Sequence, residues 1–312
     1  MTDNKWQLER SKTLKKMQLL FPRMTFSKQE KQIFHKQMKG YHGENKFYNL
    51  LKYNLPENAL ILNDLLLKSN HSLFQIDHLL VNANTIFHFE IKNFEGEYYI
   101  NNNLWYVKAT QKEIRNPLLQ LEKSSYLLRH LVQQLGYNIR VKSYLVFINP
   151  EFTLFQLPLN LPIIMPTQLN RFVQKLNRSF SPPSQEQQRL VTDLEKLNNT
   201  HSSFEQIPNY TFKKLKKGIL CPTCFSFLDR HTLRTLICKN CGFNEIVKHA
   251  ILRNIKEFNL LFPNKNITTN IICEWCGNIF PKSTIRKVLS KNLILVKTGR
   301  HSYYDIKNIV EN

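Results

Sequence analysis

The chain has 312 residues, of which 42% are hydrophobic, so an intrinsically disordered chain is excluded and two or three domains are expected. Its 44 Lys and Arg against 23 Asp and Glu give a formal net charge of +21. A charge of this size favours nucleic acid as a partner, because each phosphate that is neutralised releases counterions. Codon bias is the alternative explanation, since Lys, Asn and Ile are abundant. No apolar run approaches the ~20 residues of a membrane-spanning helix.

The first 36 residues are basic and partly helical in pattern, and they are predicted to form an N-terminal extension. They lack the uninterrupted apolar stretch and the cleavage site of a signal peptide, so a cytoplasmic location is expected. All six cysteines fall in three C-x-x-C pairs. In a reducing compartment such pairs indicate metal binding or packing in preference to disulfides.

Residues 37–205 have the element order of an α/β domain. A helix that ends before Pro56 is followed by the apolar strands "ALILNDLLL", "QIDHLLVN" and "IFHFEIKN", and then by a pair, "EYYI" and "LWYV", around an Asn turn. An amphipathic helix beginning at "NPLLQ" and closed by Gly136 leads to the buried strand "RVKSYLVF" and to a short strand, "LPIIM". Two further helices are predicted at 168–177 and 185–199. This order predicts a mixed sheet covered by helices.

Two of the predicted strands carry ions among apolar residues. Asp77 interrupts the first of them, and Glu90 and Lys92 interrupt the second. Because alternate residues of a strand share a face, Glu90 and Lys92 lie opposite the apolar side formed by Phe87 and Phe89. Asp77 lies beside Glu90 if the two strands pair. The pattern therefore predicts one apolar face and one face on which polar groups converge.

Two neighbouring carboxylates repel each other unless a cation joins them. Carboxylate oxygens suit Mg²⁺ or Mn²⁺, so Asp77 and Glu90 are candidate metal ligands. Lys92, one strand step away, would orient or deprotonate a water molecule and stabilise a phosphate. The alternative is a simple ion pair between Glu90 and Lys92 on a solvent-facing strand.

The motifs "GYHGENKFYNLL", "FQIDHLLV", "IFHFEIKNFEGEY" and "NPLLQ" occur in this order over roughly residues 40–150, and together they resemble the nuclease-related domain (NERD). This family lies within the PD-(D/E)xK nuclease superfamily, whose leading Pro-Asp is Ile76–Asp77 here, as it is in the family. The resemblance, which weakens towards residue 205, implies a restriction-endonuclease-like α/β fold. It implies that Asp77 and Glu90 hold a catalytic metal and that Lys92 is the catalytic lysine.

Further residues take a role only from this resemblance. Glu44 matches a glutamate that completes the metal shell, and Gln75 matches an accessory position beside the aspartate. Asn116, Pro117 and Gln120 match the start of the family's helix, where a structural role is favoured.

The segment 206–245 contains two C-x-x-C pairs, in "CPTCFSFLDRHTLRTLICKNCG". Its candidate ligands are Cys221, Cys224, Cys238 and Cys241. Four thiolates suit tetrahedral Zn²⁺, and four protein ligands leave no open position, so the sequence predicts a zinc ribbon with a structural ion.

Residues 246–312 read as three helices followed by two strands, which predicts a winged-helix-like domain. The third cysteine pair, Cys273 and Cys276, falls within the second helix, where packing is favoured over metal ligation, with His301 as a conceivable extra ligand. The third helix and the wing are basic. The candidate nucleic-acid contacts are Lys282, Ser283, Thr284, Arg286, Lys287, Lys291, Lys297 and Arg300. A basic solvated face is the alternative.

The combined features predict a metal-dependent nuclease that cleaves phosphodiester bonds in nucleic acid, with DNA as the favoured substrate. The zinc ribbon and the winged helix would aid binding. One alternative is a catalytically inactive nucleic-acid-binding regulator on a nuclease fold. A second is a scaffold that binds a protein through the winged helix. The sequence leaves the strand form of the substrate and the oligomeric state open.

Overall fold

The structure is a computed structural model that describes residues 8–199, 207–298 and 302–306. The chain divides into two compact units. The first contains residues 35–205 together with the segment before Ser11, and the second contains residues 11–34 and 206–312. Most of the predicted N-terminal extension therefore groups with the C-terminal unit.

Among the described residues, the first unit contains two sheets and four α-helices. Its strands are β1 (Leu60–Ser69), β2 (Ser72–Asn82), β3 (Thr85–Lys92), β4 (Gly96–Asn101), β5 (Leu104–Val107), β6 (Lys112–Ile114), β7 (Arg140–Phe147), β8 (Phe152–Phe155) and β9 (Ile163–Ile164). The second unit begins with helix α1 (Lys12–Leu20). The helices that follow along the chain are α2 (Lys28–Asn54), which the division between units crosses, α3 (Pro117–Gln134), α4 (Leu169–Arg178) and α5 (Gln185–Lys196).

The main sheet has the strand order β1-β2-β3-β7-β9. Its first three strands are antiparallel, whereas β3, β7 and β9 run parallel, so the sheet is mixed as predicted. Helices α2 and α4 pack on one face, where Phe47 and Val173 join a core with Phe89. Helices α3 and α5 cover the other face, where Leu128 and Leu194 join a second core. The predicted α/β fold with helices flanking a mixed sheet is confirmed.

The smaller sheet has the order β6-β5-β4-β8. The predicted Asn turn is present between β4 and β5, and both Asn102 and Asn103 have positive φ, which the tightest hairpin turns require. The short strands β6 and β8 were not predicted. Both owe their place to pairing with β5 and β4, which the local sequence does not encode.

The second unit is a small assembly of helices and short strands. It contains β10 (Asp229–Arg230), β11 (Thr235–Ile237), β12 (Asn244–Ile246), α6 (Val247–Leu261), α7 (Thr269–Trp275), α8 (Lys282–Asn292), β13 (Ile294–Val296) and β14 (Tyr303–Asp305). Three helices followed by paired strands occur in the predicted order, and Ile267 forms an additional bridge to Tyr304. The winged-helix assignment stays a prediction. In the described part of the chain, no helix is both long and apolar enough to cross a membrane.

Arg23 explains why the N-terminal segment belongs to the second unit. Its guanidinium, which follows α1, is buried and donates hydrogen bonds to the backbone carbonyls of Lys216 at 3.0 Å and Gly218 at 2.9 Å. The guanidinium carbon lies 4.0 Å from the centroid of the Trp275 ring, and Nη2 of Arg23 lies 4.0 Å from Oε2 of Glu257. Burial lowers the pKa of Arg23 to about 10, and Glu257 opposes that shift.

Replacing Arg23 by Ala should destabilise the second unit by about 3 kcal/mol, because two backbone carbonyls would lose their donor and Glu257 would keep only Arg253 of its two cations. Hydrogen exchange of the α6 amides in the full chain measures this, since exchange there reports opening of the second unit alone. Lys12→Ala is the matched control, because it removes an exposed charge at the start of α1. Equal protection of α6 in the two variants would contradict the role given to Arg23.

Candidate metal and phosphodiester site

The site lies where the pairing of β2 with β3 ends. The last pair is His78 with Phe89, and the same register would next place Asp77 opposite Glu90. Instead, the side chain of Asp77 accepts a hydrogen bond from the backbone N–H of Ile91 at 2.7 Å. Beyond Phe89, β3 continues as the parallel partner of β7. The two strands therefore separate at this point, where the side chain of Asp77 takes the place of a strand partner and Glu90 lies close enough to repel it.

The two faces of β3 divide as the sequence predicts. Phe89 and Ile91 enter the core against α2, where Phe47 contacts Phe89 with 5.0 Å between ring centroids. Glu90 on the other face is only 1% exposed, which a solvent-facing ion pair would not show. The site is therefore built on a rigid apolar support.

Lys92 is held by two oxygen acceptors. Its ammonium donates to Glu90 Oε1 at 2.7 Å and to Gln120 Oε1 at 3.0 Å. Gln120 lies in the first turn of α3, which Asn116 caps by accepting from the N–H of Leu118. Gln120 thus contacts a predicted catalytic side chain. Asn116, in contrast, caps the helix, which is a structural role of the kind expected from the sequence.

A fourth carboxylate, Asp64 on β1, was missed by the sequence analysis. The pairs that flank it in the β1–β2 register place it opposite Asp77, and its backbone has a φ of 48°. Gln75 donates to Asp64 at 2.9 Å, so Gln75 supports Asp64 where the resemblance implied a place beside Asp77. The signal was present in the sequence, since Asp64 interrupts "LILNDLLL" as Asp77 interrupts the next strand. We call Glu44, Asp64, Asp77 and Glu90 the acidic cluster.

Burial and mutual repulsion govern the protonation of the acidic cluster. Burial raises the pKa of Glu44 to about 7, and the charges of Asp64 and Glu90 add to the shift. Burial, followed by Glu90 and Glu44, raises the pKa of Asp77 well above its usual value. Burial also raises the pKa of Glu90, although Lys92 opposes it. One lysine does not offset four carboxylates, so the cluster favours additional positive charge.

The acidic cluster fits a divalent cation in its chemistry. All four side chains supply the hard oxygen ligands that Mg²⁺ and Mn²⁺ prefer. Glu90 Oε2 is buried and has no hydrogen-bond partner within the described residues. The carboxylates lie farther apart than the ligands of an occupied metal site. Among the described residues, no three of these side chains place an oxygen within 4.8 Å of one another.

His78 ties the helix that carries Glu44 to the strand that carries Asp77. It is fully buried, and its Nε2 donates to the backbone carbonyl of Glu44 at 3.0 Å. Its Nδ1 lies 2.6 Å from the side-chain amide of Asn63 on β1. Burial lowers the pKa of His78 to about 3, so the ring is neutral and fixes this geometry without adding charge.

One protein family matches the part of the chain that contains this site. The family model described as Nuclease-related domain matches residues 39–148. The chain carries a nuclease-related domain. The matched range encloses the whole acidic cluster, Lys92 and Gln120, and agrees closely with the extent that the motifs implied. Neither the curated proteins nor the solved structures yield a match.

Outside the nuclease-related domain, four cysteines form a second candidate site. The ligand sulfurs of Cys221, Cys224, Cys238 and Cys241 all lie within 4.8 Å of one another, with 3.6 Å from Cys221 to Cys241 and 3.4 Å from Cys224 to Cys238. Sulfurs at about 2.3 Å from a tetrahedral ion would lie about 3.8 Å apart, so the cluster is compatible with a zinc ribbon. Hydrogen bonds from Asn240 and from Ser226 lower the pKa of Cys224 to about 5. The N–H of Phe243 lowers the pKa of Cys241, but burial and the neighbouring cysteines together raise it to about 12, as expected for thiols that share protons in a cluster.

The third cysteine pair lies in the core of the second unit. Cys273 and Cys276 are both buried, and Asn254 donates to the Cys276 sulfur at 3.3 Å. Burial raises the pKa of Cys276 to about 12. In the described part of the chain neither residue belongs to a group of three metal-type ligands.

The predicted nucleic-acid contacts on α8 lie on its outer face. Ile285 and Leu289 are buried on the opposite side, so the helix is fixed with its basic face outward. The exposed candidates are Lys282, Ser283, Arg286, Lys287, Lys291 and, beyond the helix, Lys297, while Thr284 is half-buried. Arg300 and His301 lie outside the described residues. The nucleic-acid role of this face stays a prediction.

Mn²⁺ should raise the unfolding temperature of the protein more near pH ~8 than near pH ~5. The pKa of Glu44 is raised from 4.5 to about 7, so without a cation the stability it contributes is present below pH 4.5 and is lost as the pH rises through about 7. A divalent cation needs the ionised carboxylates, and its stabilising effect must therefore grow over the same window. Thermal unfolding with and without Mn²⁺ measures both effects.

Glu44→Gln should reduce this pH dependence, whereas Glu122→Gln, an isosteric change of an exposed carboxylate on α3, should leave it unchanged. A shift of the same size at both pH values in the unmodified protein would argue against cation binding by the acidic cluster.

Proposed function

We propose that this protein is a metal-dependent nuclease that hydrolyses phosphodiester bonds in nucleic acid, with DNA as the favoured substrate. The observation that carries the proposal is the arrangement of Asp77, Glu90 and Lys92 at the point where β2 and β3 separate, with Glu44 beside them. The match to the nuclease-related domain supports the same reading.

In this proposal Asp77 and Glu90 hold Mg²⁺ or Mn²⁺, and Glu44 completes the ligand set. The bound cation supplies a Lewis acid that polarises the phosphate and acidifies water. Lys92, fixed by Glu90 and Gln120, brings its ammonium to the negative charge that develops on the phosphate oxygens. The raised pKa values of Glu44 and Asp77 allow these groups to hold a proton until the cation binds.

For the four-cysteine cluster we propose Zn²⁺ as a structural ion. Four protein sulfurs leave no open position for catalysis, and an ion bound by all four contributes to the free energy of folding. The winged-helix-like segment, through the basic face of α8, is proposed to bind nucleic acid. The net charge of +21 supports this, because the opposite charge of the phosphate backbone attracts it.

A catalytically inactive nucleic-acid-binding protein is the second candidate. Two observations favour it. Lys92 pairs with Glu90, and among the described residues no three carboxylate side chains place an oxygen within 4.8 Å of one another. In that case the fold and the basic surfaces would serve binding alone. Cleavage assays separate the two candidates.

Purified protein should cleave DNA or RNA in Mg²⁺ or Mn²⁺, and Lys92→Ala should lower the cleavage rate by about 10²–10³-fold, since it removes charge stabilisation at the phosphate. Glu90→Gln should abolish cleavage while nucleic-acid binding persists. Glu122→Gln is the matched control and should cleave at the original rate. Binding without any cleavage in either metal would favour the inactive candidate instead.

The purified chain should contain one equivalent of zinc, and Cys221→Ser should lose it together with the ordered β10–β12 sheet. Cys273→Ala, in the third pair, should keep the full zinc content because that pair lies apart from the ligand cluster. Elemental analysis and hydrogen exchange measure the two effects. Zinc lost from Cys273→Ala, or retained in Cys221→Ser, would contradict the assignment.

A further inference from the structure

The hairpin between β10 and β11, residues 230–234, is a basic projection with an apolar apex. Leu233 at the apex is 81% exposed, and Arg230, His231 and Arg234 beside it are exposed as well. We call residues 230–234 the ribbon tip. The tip therefore presents one apolar side chain between two cationic side chains.

The ribbon tip has a fixed conformation. The hydroxyl oxygen of Thr232 accepts hydrogen bonds from the backbone N–H groups of Arg234 and Thr235, both at 3.1 Å. Arg230 donates from Nε to the carbonyl of Thr232 at 3.4 Å, and the N–H of Val247 at the start of α6 donates to the carbonyl of Arg234. A partner would therefore meet a preformed surface, which reduces the entropy lost on binding.

The charge around the ribbon tip is unbalanced. Two acidic side chains of the same small sheet are already paired, Asp229 with Lys239 at 3.2 Å and Glu245 with Arg253 at 2.6 Å. Within the described ranges neither Arg230 nor Arg234 forms an ion pair. The surplus positive charge is complementary to phosphate.

We infer that the ribbon tip is a contact for duplex nucleic acid, with Arg230 and Arg234 at phosphates and Leu233 in the groove. Single strands are recognised mainly by stacking on aromatic rings, and the tip carries no aromatic side chain apart from His231. Apolar side chains such as leucine instead enter the minor groove of a duplex between basic residues. The inference rests on the proposed nucleic-acid function and adds the element and the form of the ligand.

The test measures binding of the full chain to a short labelled DNA duplex, and to one of its strands, over a salt series. All variants are made on the Glu90→Gln background, so that the probe is not cleaved. Cleavage then need not be prevented with a chelator, which would also remove the proposed zinc ion from the four cysteines. Arg230→Ala with Arg234→Ala should reduce the slope of log K against log salt by about 1.8, or about 0.9 for each phosphate that is no longer neutralised. Leu233→Ala should weaken duplex binding about tenfold, the scale of burying one leucine side chain, with the slope unchanged.

Two matched controls guard against a general effect of charge or of exposed leucine. Arg171→Ala with Arg178→Ala removes two exposed arginines from α4, and Leu159→Ala removes the fully exposed leucine. An equal fall in slope for the α4 pair, unchanged binding in the tip variants, or weaker binding to the single strand but not to the duplex would overturn the inference. Unaltered zinc content and thermal unfolding show that the tip variants are folded.

The outcome is separable from that of the proposed nuclease activity. If the wild-type chain cleaves nothing and the tip variants still bind the duplex more weakly, the nuclease proposal fails and the ribbon-tip contact stands. If the chain cleaves and the tip variants bind as before, the nuclease proposal stands and the ribbon-tip contact fails.

Discussion

The separation of β2 from β3 is the constraint on which the rest of the site depends. Where the ladder ends, the N–H of Ile91 would be left without a strand partner, and the side chain of Asp77 takes that place. This fixes one carboxylate inside the sheet and brings Glu90 beside it. Buried carboxylates are unstable without compensation, so the surrounding elements are arranged around a need for positive charge.

Two neighbouring helices contribute further side chains to the site. Helix α2 brings Glu44, held through its carbonyl by His78, and α3 brings Gln120 to the ammonium of Lys92. Among the described residues, Lys92 is the cation that interacts closely with the cluster. The remaining deficit gives a physical reason for a divalent ion, and it also explains why the carboxylates hold protons more strongly than usual in its absence.

The second unit is stabilised in a different way from the first. The first unit has two apolar cores on the two faces of a sheet, whereas the second combines a four-cysteine cluster, a buried guanidinium and a group of aromatic rings around Trp275. These contacts add to an apolar core, in which Ile251, Phe258 and Leu289 are fully buried. Local hydrogen bonds make the ribbon tip a rigid projection.

The sequence by itself determined the α/β class, the helices α3 to α8, the long strands, the division of β3 into an apolar and a polar face, and the four-cysteine cluster, whereas it predicted only the C-terminal part of α2. These depend on periodicity and on short spacing, which neighbouring residues encode. It also placed Asp77, Glu90, Lys92 and Glu44 in one site, although Glu44 came only through resemblance to a family.

Only the tertiary structure decided that Asp64 and Gln120 join the site, that Gln75 supports Asp64, and that Arg23 draws residues 11–34 into the C-terminal unit. The short strands β6 and β8 were likewise decided only by the tertiary structure. Each of these depends on contacts between residues distant in the chain, and the register of a strand or the docking of a helix is set by the whole core. A local sequence pattern does not identify such distant partners.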